Sequence, residues 1–268
     1  MLSVLKIGGS VLRDEASYAA TAEFLRCRLA QRPAGPGDTA ERLVVIVSAQ
    51  HGATDELLAE AQAIVGGDTG INNDALDLLW STGELRSVAR LALHLQRVGV
   101  SAIPFNVHQT GLVADRVTGT TVRPLRLLAA LAASRIVIVP GFLGVSAGGT
   151  ITSLGRGGSD LTAVLLATAV RADACELIKD VPGYFTADPR QDTKARQIHD
   201  LPIEDALRMA DAGCDLVQRA ALAAAAQAGL HLVIRSMDAA APVTHVHKRS
   251  KHHGVFYQDD SRRTAVGA

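Results

Sequence analysis

The chain has 268 residues, 48% of them hydrophobic, and a formal net charge of +0. This length and apolar content can bury one sizeable core, as a single large α/β domain or as two closely joined lobes. The balanced charge gives no electrostatic basis for binding nucleic acid or an anionic membrane. Because there is no signal sequence and no apolar stretch of membrane-spanning length, we expect a cytoplasmic protein that acts on small molecules.

Short runs rich in β-branched residues alternate along the chain with segments of helical spacing. The former predict strands at Leu2–Ile7, Leu43–Val47, Ser101–Phe105, Ile136–Val139, Cys175–Ile178 and Leu230–Ile234. The latter predict helices at Ala16–Leu29, Thr54–Ile64, Asp74–Val98, Leu161–Val170, Ile203–Ala212 and Leu216–Ala228. This alternation predicts a mainly parallel sheet with helices on both faces.

Three other features of the chain interrupt or accompany this pattern. Residues 32–38 are rich in Pro and Gly and predict an exposed loop. After about Ala240 the chain becomes rich in His, Lys and Arg; such a tract can bind metal, but the pattern favours a solvated hairpin and tail. The three cysteines lack the spacing of a zinc site or a disulfide framework, so we expect buried free thiols.

Two glycine-rich segments carry the strongest functional signal. Residues 6–10 read Lys-Ile-Gly-Gly-Ser at the end of the first predicted strand, and residues 156–160 read Arg-Gly-Gly-Ser-Asp directly before a predicted helix. Backbone N–H groups of such turns, together with a helix N-terminus, can close on an anion. Two such loops imply a polyphosphate ligand. Neither loop fits the Walker pattern or the dinucleotide fingerprint, so the nucleotide site is of another type.

These two loops and three further segments resemble the amino acid kinase superfamily, most closely the catalytic domain of aspartate kinase. The matching segments are residues 6–10, 47–57, 81–84, 154–160 and 179–190, in the family's order. The resemblance implies a three-layer α/β/α sandwich with a mainly parallel central sheet. It also implies a catalytic domain over residues 1–240, with residues 241–268 as a C-terminal strand and tail of the same domain.

The activity that the resemblance implies is transfer of the γ-phosphoryl group of ATP, with Mg²⁺, to the side-chain carboxylate of aspartate or a close amino acid analogue. This chemistry needs mainly positioning and charge neutralisation. An ionised carboxylate is already a nucleophile, so no general base is required. We expect the metal to be coordinated mostly by phosphate oxygens and water, with no dedicated protein metal site.

The resemblance assigns the catalytic roles to Lys6, which contacts the transferring phosphate, and to Asp160, which organises the site. The phosphates would be held by Gly8, Gly9, Ser10, Gly157, Gly158 and Ser159. A lone lysine at a strand end usually points into water, but one next to Gly-Gly-Ser favours function. Asp160 is also well placed to cap a helix, and both of its roles can hold together.

An amino acid acceptor carries an ammonium and a carboxylate, so its pocket needs an anion close to a cation. By resemblance, Glu84 binds the ammonium and Arg156 binds the carboxylate. Ser48 and Thr54 match hydroxyl positions that line the same cleft. Thr54 is followed by two acidic residues and also fits an ordinary helix start.

Residues 179–190 would form the outer wall of the nucleotide site, with Lys179, Asp180, Phe185 and Arg190 among the contacts. This chain departs from aspartate kinases in having Lys179 for threonine, Phe185 for tyrosine and Asp215 for a lysine. We hypothesise that Lys179 supplies the charge that the change at Asp215 removes. The turn residues of this segment are also typical of any irregular surface loop.

Two other functional classes remain open. A sister kinase acting on another small acid, on carbamate or on a phosphate monoester would keep Lys6 and the glycine loops. A degenerate nucleotide-binding regulatory subunit would bind nucleotide without turnover. The resemblance also implies a homodimer. Because the chain ends before a regulatory domain could form, we expect no lysine- or threonine-type feedback control within the same polypeptide.

Overall fold

The computed structural model describes residues 1–31, 40–67, 69–115, 119–155 and 157–249. The strands are β1 (Leu2–Ile7), β2 (Arg42–Val47), β3 (Ile103–Pro104), β4 (Leu112–Asp115), β5 (Gly119–Val122), β6 (Ile136–Pro140), β7 (Leu143–Val145), β8 (Ile151–Ser153), β9 (Ala174–Ile178), β10 (Asp200–Pro202), β11 (Leu232–Arg235) and β12 (Thr244–His247). The helices are α1 (Glu15–Gln31), α2 (Ala53–Val65), α3 (Asn73–Arg97), α4 (Leu125–Ala133), α5 (Gly158–Val170), α6 (Ile203–Asp211) and α7 (Arg219–Ala228).

All six predicted strands and all six predicted helices are present, with ends shifted by up to three residues. The main sheet has the strand order β10-β12-β11-β9-β1-β2-β6-β3. Every neighbouring pair in it is parallel except β11 with β12. The expectation of a mainly parallel sheet is therefore confirmed.

Helices cover both faces of this sheet because the side chains of its strands alternate between two cores. In β2, Val44 and Ile46 pack into the core formed with α4, α5, α6 and α7. Leu43, Val45 and Val47 pack into the core formed with α1 and α3. Burial on both faces explains why residues 43–47 of β2 and all of β6 read as continuous apolar runs. The predicted three-layer α/β/α sandwich is confirmed.

A second sheet, with the order β5-β4-β7-β8, and helix α4 are also present and were not predicted from the sequence. Strands β4, β5, β7 and β8 have only three or four residues each, too few for a period to emerge from the sequence. Strand β12 lies between β10 and β11 in the main sheet, so the beginning of the predicted C-terminal segment joins the domain. The predicted loop at residues 32–38 and the tail from residue 250 lie outside the described residues.

The three cysteines are free thiols, but they differ in burial. Cys175 is buried in β9 and Cys214 is half-buried. Cys27 is exposed on α1, so the expectation of buried thiols is wrong at that position, where the helix presents its outer face to solvent. Within the described ranges, none of the helices combines the length and the apolar character needed to cross a bilayer.

The carboxyl ends of β1, β2, β6 and β9 bring four loops together at one edge of the main sheet. Backbone hydrogen bonds join them: Gly8 N–H donates to the Ile178 carbonyl (3.2 Å), Ser48 N–H to that of Ile7 (3.2 Å), and Gly141 N–H to that of Val47 (2.9 Å). Ligand sites in α/β proteins form at this edge, because loops from distant parts of the chain converge there.

Candidate active site

A cavity of about 590 Å³ lies at this edge of the sheet. It is lined by the loops that follow β1 and β2, by the beginnings of α2 and α5, and by α3. Nine residues predicted to be functional lie on its wall. A larger groove of about 840 Å³, formed by α3 and residues 99–109, contains none of them. The smaller cavity is therefore the candidate active site.

Both predicted phosphate loops reach this cavity. Gly9 and Ser10 line it from the loop after β1, and Gly157, Gly158 and Ser159 line it from the start of α5. Gly9 has to be glycine because a Cβ there would lie 2.9 Å from the Ala49 carbonyl oxygen. Gly157 has a φ of 75°, a left-handed conformation that favours glycine. The cavity is therefore bordered by two close-packed turns of backbone.

A buried charge cluster stands behind the phosphate loops. Lys6 Nζ lies 2.9 Å from Asp160 Oδ1, and Lys179 Nζ lies 2.8 Å from Asp160 Oδ2 and 3.1 Å from Oδ1. The backbone N–H of Gln218 also donates to Asp160 Oδ2, at 3.2 Å. Burial alone would raise the pKa of Asp160, but the two ammonium groups hold it well below its ordinary value. One carboxylate thus holds two cations beside the cavity, which leaves the cluster with a net positive charge.

Lys179 follows the last residue of β9, and β9 pairs directly with β1, which carries Lys6. Desolvation, together with the nearby charge of Lys6, lowers the pKa of Lys179 to about 8, although Asp160 opposes this shift. Asp215, in contrast, is exposed in the turn before α7 and does not line the cavity. The hypothesis about Lys179 therefore has a geometric basis, since its ammonium shares a carboxylate with Lys6.

Glu84 projects from α3 into the same cavity and is only 3% exposed. Burial raises the pKa of Glu84 to about 8, although the backbone N–H groups of Ala49 and Gly141 and the charge of Lys6 oppose the shift. Its Oε2 atom is buried without a hydrogen-bond partner among the described residues. A carboxyl group in this state can gain a cation from a ligand at little further desolvation cost.

Three other residues were predicted to bind the acceptor, and two of them are among the described residues. Ser48 and Thr54 line the cavity near Glu84. Arg156, the predicted partner for the acceptor carboxylate, lies outside the described residues. Of the predicted acceptor pair Glu84 and Arg156, the described part of the cavity wall contains Glu84.

The predicted outer wall of the nucleotide site meets the first glycine loop but does not line the cavity. Ser10 Oγ donates to Asp180 Oδ1 at 3.0 Å, and an Arg190 guanidinium nitrogen lies 3.9 Å from Asp180 Oδ2. Phe185 is half-buried and forms an isolated β-bridge with Gln197. Gly8 also lies off the wall, where a Cβ would come within 3.4 Å of Lys6 Nζ.

Two aromatic residues of the cavity wall were not predicted from the sequence. Trp80 and Phe142 meet in an edge-to-face arrangement with their ring centroids 5.5 Å apart. Trp80 lies four residues before Glu84, one helical turn away, and this spacing was a usable signal for a shared face. Phe142 follows Gly141 after β6 with a φ of 68°, a conformation that no sequence pattern reveals.

Known proteins resemble this chain both in sequence and in fold. Residues 1–236 match the profile of the Amino acid kinase family. An aspartokinase from Thermus thermophilus is 37% identical over 213 residues, which are 78% of this chain and 52% of that protein. The chain spans about half the length of the curated relatives it matches.

Two solved structures have the same fold. A crystal structure of aspartate kinase from Synechocystis has a TM-score of 0.80 and 32% identity, and the match covers 93% of this chain and 40% of that one. A structure of E. coli aspartokinase III in complex with aspartate and ADP has a TM-score of 0.76 and 25% identity, covering 94% of this chain and 66% of that one. The resemblance inferred from the five segments is confirmed.

Proposed function

The chain belongs to the amino acid kinase family, and we propose that it transfers the γ-phosphoryl group of ATP to the side-chain carboxylate of aspartate or a close amino acid analogue. The observation that carries this proposal is one cavity with a double-lysine cluster behind its glycine loops and, on its wall, the buried carboxyl of Glu84, whose Oε2 has no hydrogen-bond partner among the described residues. The aspartokinases to which the chain is similar support the same activity.

The phosphates of the nucleotide would lie between the two glycine loops. The backbone N–H of Gly9 and the hydroxyl of Ser159 would donate to their oxygens. Ser10, Gly157 and Gly158 would border them, because the Ser10 hydroxyl already donates to Asp180 and the Gly158 N–H to the Gly155 carbonyl. Lys6 would neutralise the charge that develops on the transferring group, held in position by Asp160. Lys179 would add a second cation. Groups fixed in this way in a water-poor site stabilise charge with little reorganisation during the reaction.

The outer contacts of the nucleotide are part of the same proposal. Asp180, Phe185 and Arg190 would border the nucleotide beyond the first glycine loop, where Asp180 already holds Ser10. Gly8 would keep the space in front of the Lys6 ammonium open.

The acceptor would bind through its ammonium to Glu84, with Ser48 and Thr54 beside it and Arg156 on its carboxylate. An ammonium next to Glu84 favours the ionised form and would reverse the upward pKa shift. The free side-chain carboxylate then attacks the γ-phosphorus. The bond from that phosphorus to the bridging oxygen breaks, which gives ADP and an acyl phosphate.

Mg²⁺ would accompany the nucleotide and neutralise part of the phosphate charge. Residues 1–31, 40–67, 69–115, 119–155 and 157–249 contain no cluster of three or more potential protein ligands for a metal, and Asp160 is already engaged by two ammonium groups. Phosphate oxygens and water would therefore be its main ligands. We further propose a cytoplasmic homodimer that serves amino-acid biosynthesis.

The test is an assay of ADP production with ATP, Mg²⁺ and a panel of acceptors, with hydroxylamine to trap any acyl phosphate. The proposal requires aspartate-dependent ADP release and a matching amount of hydroxamate. Turnover with a phosphate monoester or carbamate would identify a sister kinase instead. Nucleotide binding without turnover on any acceptor would identify a regulatory subunit.

A further inference from the structure

The geometry points to Trp80 as a specificity-determining residue: its indole forms a rigid wall of the acceptor site and limits the acceptor to an amino acid with a short side chain. This inference rests on the proposed function, because it takes the Glu84 end of the cavity as the acceptor end.

The position of Trp80 follows from helix geometry. Residues four apart on a helix lie on the same face, so Trp80 and Glu84 project from α3 into one cavity. The indole Nε1–H donates to the backbone carbonyl of Thr54 at 3.2 Å. Trp80 therefore contacts one proposed acceptor residue and lies one helical turn from another.

The indole is held from two sides. Its hydrogen bond ties it to α2, and its ring packs edge to face on Phe142 at 5.5 Å and 70°. Phe142 is fixed in turn, because its backbone N–H donates to Thr162 Oγ1 at 3.1 Å. Its ring also lies against the second glycine loop, since a Cβ on Gly158 would be only 3.2 Å away. The two rings thus connect the acceptor wall to the phosphate loop.

The packing of the two rings limits the length of the acceptor side chain. The acceptor ammonium is held at Glu84, and the acceptor carboxylate has to reach the γ-phosphate between the glycine loops. The Trp80 wall cannot move without breaking its hydrogen bond and its ring packing. The distance between Glu84 and the γ-phosphate therefore suits an acceptor side chain of one length. One additional methylene group against such a wall changes kcat/KM by about 10- to 200-fold.

The chain contains a single tryptophan, so its emission reports directly on this wall. We expect aspartate to change the Trp80 emission saturably in the absence of turnover, with a midpoint close to its KM. The Glu84→Gln variant should lose this response at the same aspartate concentrations. If wild-type enzyme turns over aspartate while its emission stays constant up to saturating aspartate, the inference fails.

The second arm compares kcat/KM for aspartate and glutamate at saturating ATP. In Trp80→Ala the preference for aspartate should fall about tenfold or more, with the dissociation constant for ATP changed less than about twofold. Trp80→Phe keeps a ring but loses the bond to Thr54, and it should fall between wild type and Trp80→Ala. Leu78→Ala is the matched control, because Leu78 is on the same helix and 59% exposed.

An unchanged preference in both Trp80 variants would overturn the inference while leaving the proposed function intact. If Trp80→Ala does not fold, Trp80→Phe and the emission of the wild-type protein still test whether Trp80 limits the acceptor. Failure of the wild-type protein to phosphorylate either amino acid would instead overturn the proposed function, and this inference with it.

Discussion

Asp160 and Glu84 are both 3% exposed, yet their pKa values move in opposite directions. Asp160 lies between two ammonium groups and stays ionised, whereas Glu84 has only backbone donors and the more distant charge of Lys6. The partner, and not the burial, therefore decides the charge of a buried carboxyl. The phosphate end of the cavity carries its own counter-charges, while the acceptor end requires one from its ligand.

Removing the negative charge at the phosphate end should have the largest effect. In Asp160→Asn the ammonium groups of Lys6 and Lys179 would repel each other and lose their alignment with the phosphates. We expect kcat to fall by about 10³-fold, measured with aspartate at saturating ATP. Asp215→Asn, an exposed change, should keep full activity. A kcat for Asp160→Asn within tenfold of wild type would contradict the assigned role.

Replacing Glu84 at the acceptor end should weaken the binding of the acceptor without changing the binding of ATP. Glu84→Gln preserves shape but cannot pair with an ammonium. We expect the KM for aspartate to rise by about 10- to 100-fold, since a charge-assisted contact contributes about 1.5–3 kcal/mol. The dissociation constant for ATP, measured by calorimetry, should stay constant. An equal loss of ATP affinity would show that the two ends of the cavity do not work separately.

The same variant should change how stability depends on pH. Because burial raises the pKa of Glu84 from 4.5 to about 8, the folded state binds more protons than the unfolded state between these values. The contribution of neutral Glu84 to the free energy of unfolding is therefore fully present below about pH 4.5, and it is lost as the pH rises towards 8. At pH 8 Glu84→Gln should be more stable than wild type by about 4 kcal/mol, as judged by urea unfolding. At pH 5 the two should be nearly equal, and an equal difference at both pH values would argue against this cause.

Replacing Lys179 should have a smaller effect than the changes at Asp160 and Glu84. Its contribution to nucleotide binding should appear as a pH dependence of the affinity for ATP. With a pKa of about 8, its ammonium loses a proton as the pH rises through this value, and ATP affinity should decrease with it. Lys179→Thr should weaken ATP binding about tenfold at pH 7, since one charged contact is worth about 1.4 kcal/mol.

The pH profile separates a charge effect from a packing effect at this position. The affinity of Lys179→Thr should be flat between pH 7 and 9. Lys179→Arg should retain binding at pH 9 because arginine keeps its charge there. Unchanged affinity and turnover in Lys179→Thr would rule out the proposed compensation for Asp215.

Local pattern was sufficient for the large elements of this protein. Residues 43–47 of β2 and all of β6 are apolar because both faces of these strands are covered, and turn glycines mark the loops that follow β1 and precede α5. These signals depend only on residues that are close together in the chain, so they can be recognised in the sequence. The small sheet, whose strands are three or four residues long, carries no such period and forms because its strands pair with one another.

The chemistry of the cavity divides along the same line. Lys6, Glu84 and the glycine loops could be identified from motifs, because each lies within a short segment of fixed residue types. The pairing of Lys6 and Lys179 with one carboxylate joins residues far apart in the chain, through the contact of β1 with β9 and α5. The wall of Trp80 and Phe142 likewise needs α3 to meet the turn after β6. Charge state and shape in a buried site depend on which side chains folding brings within a few ångströms, and no linear pattern contains those distances.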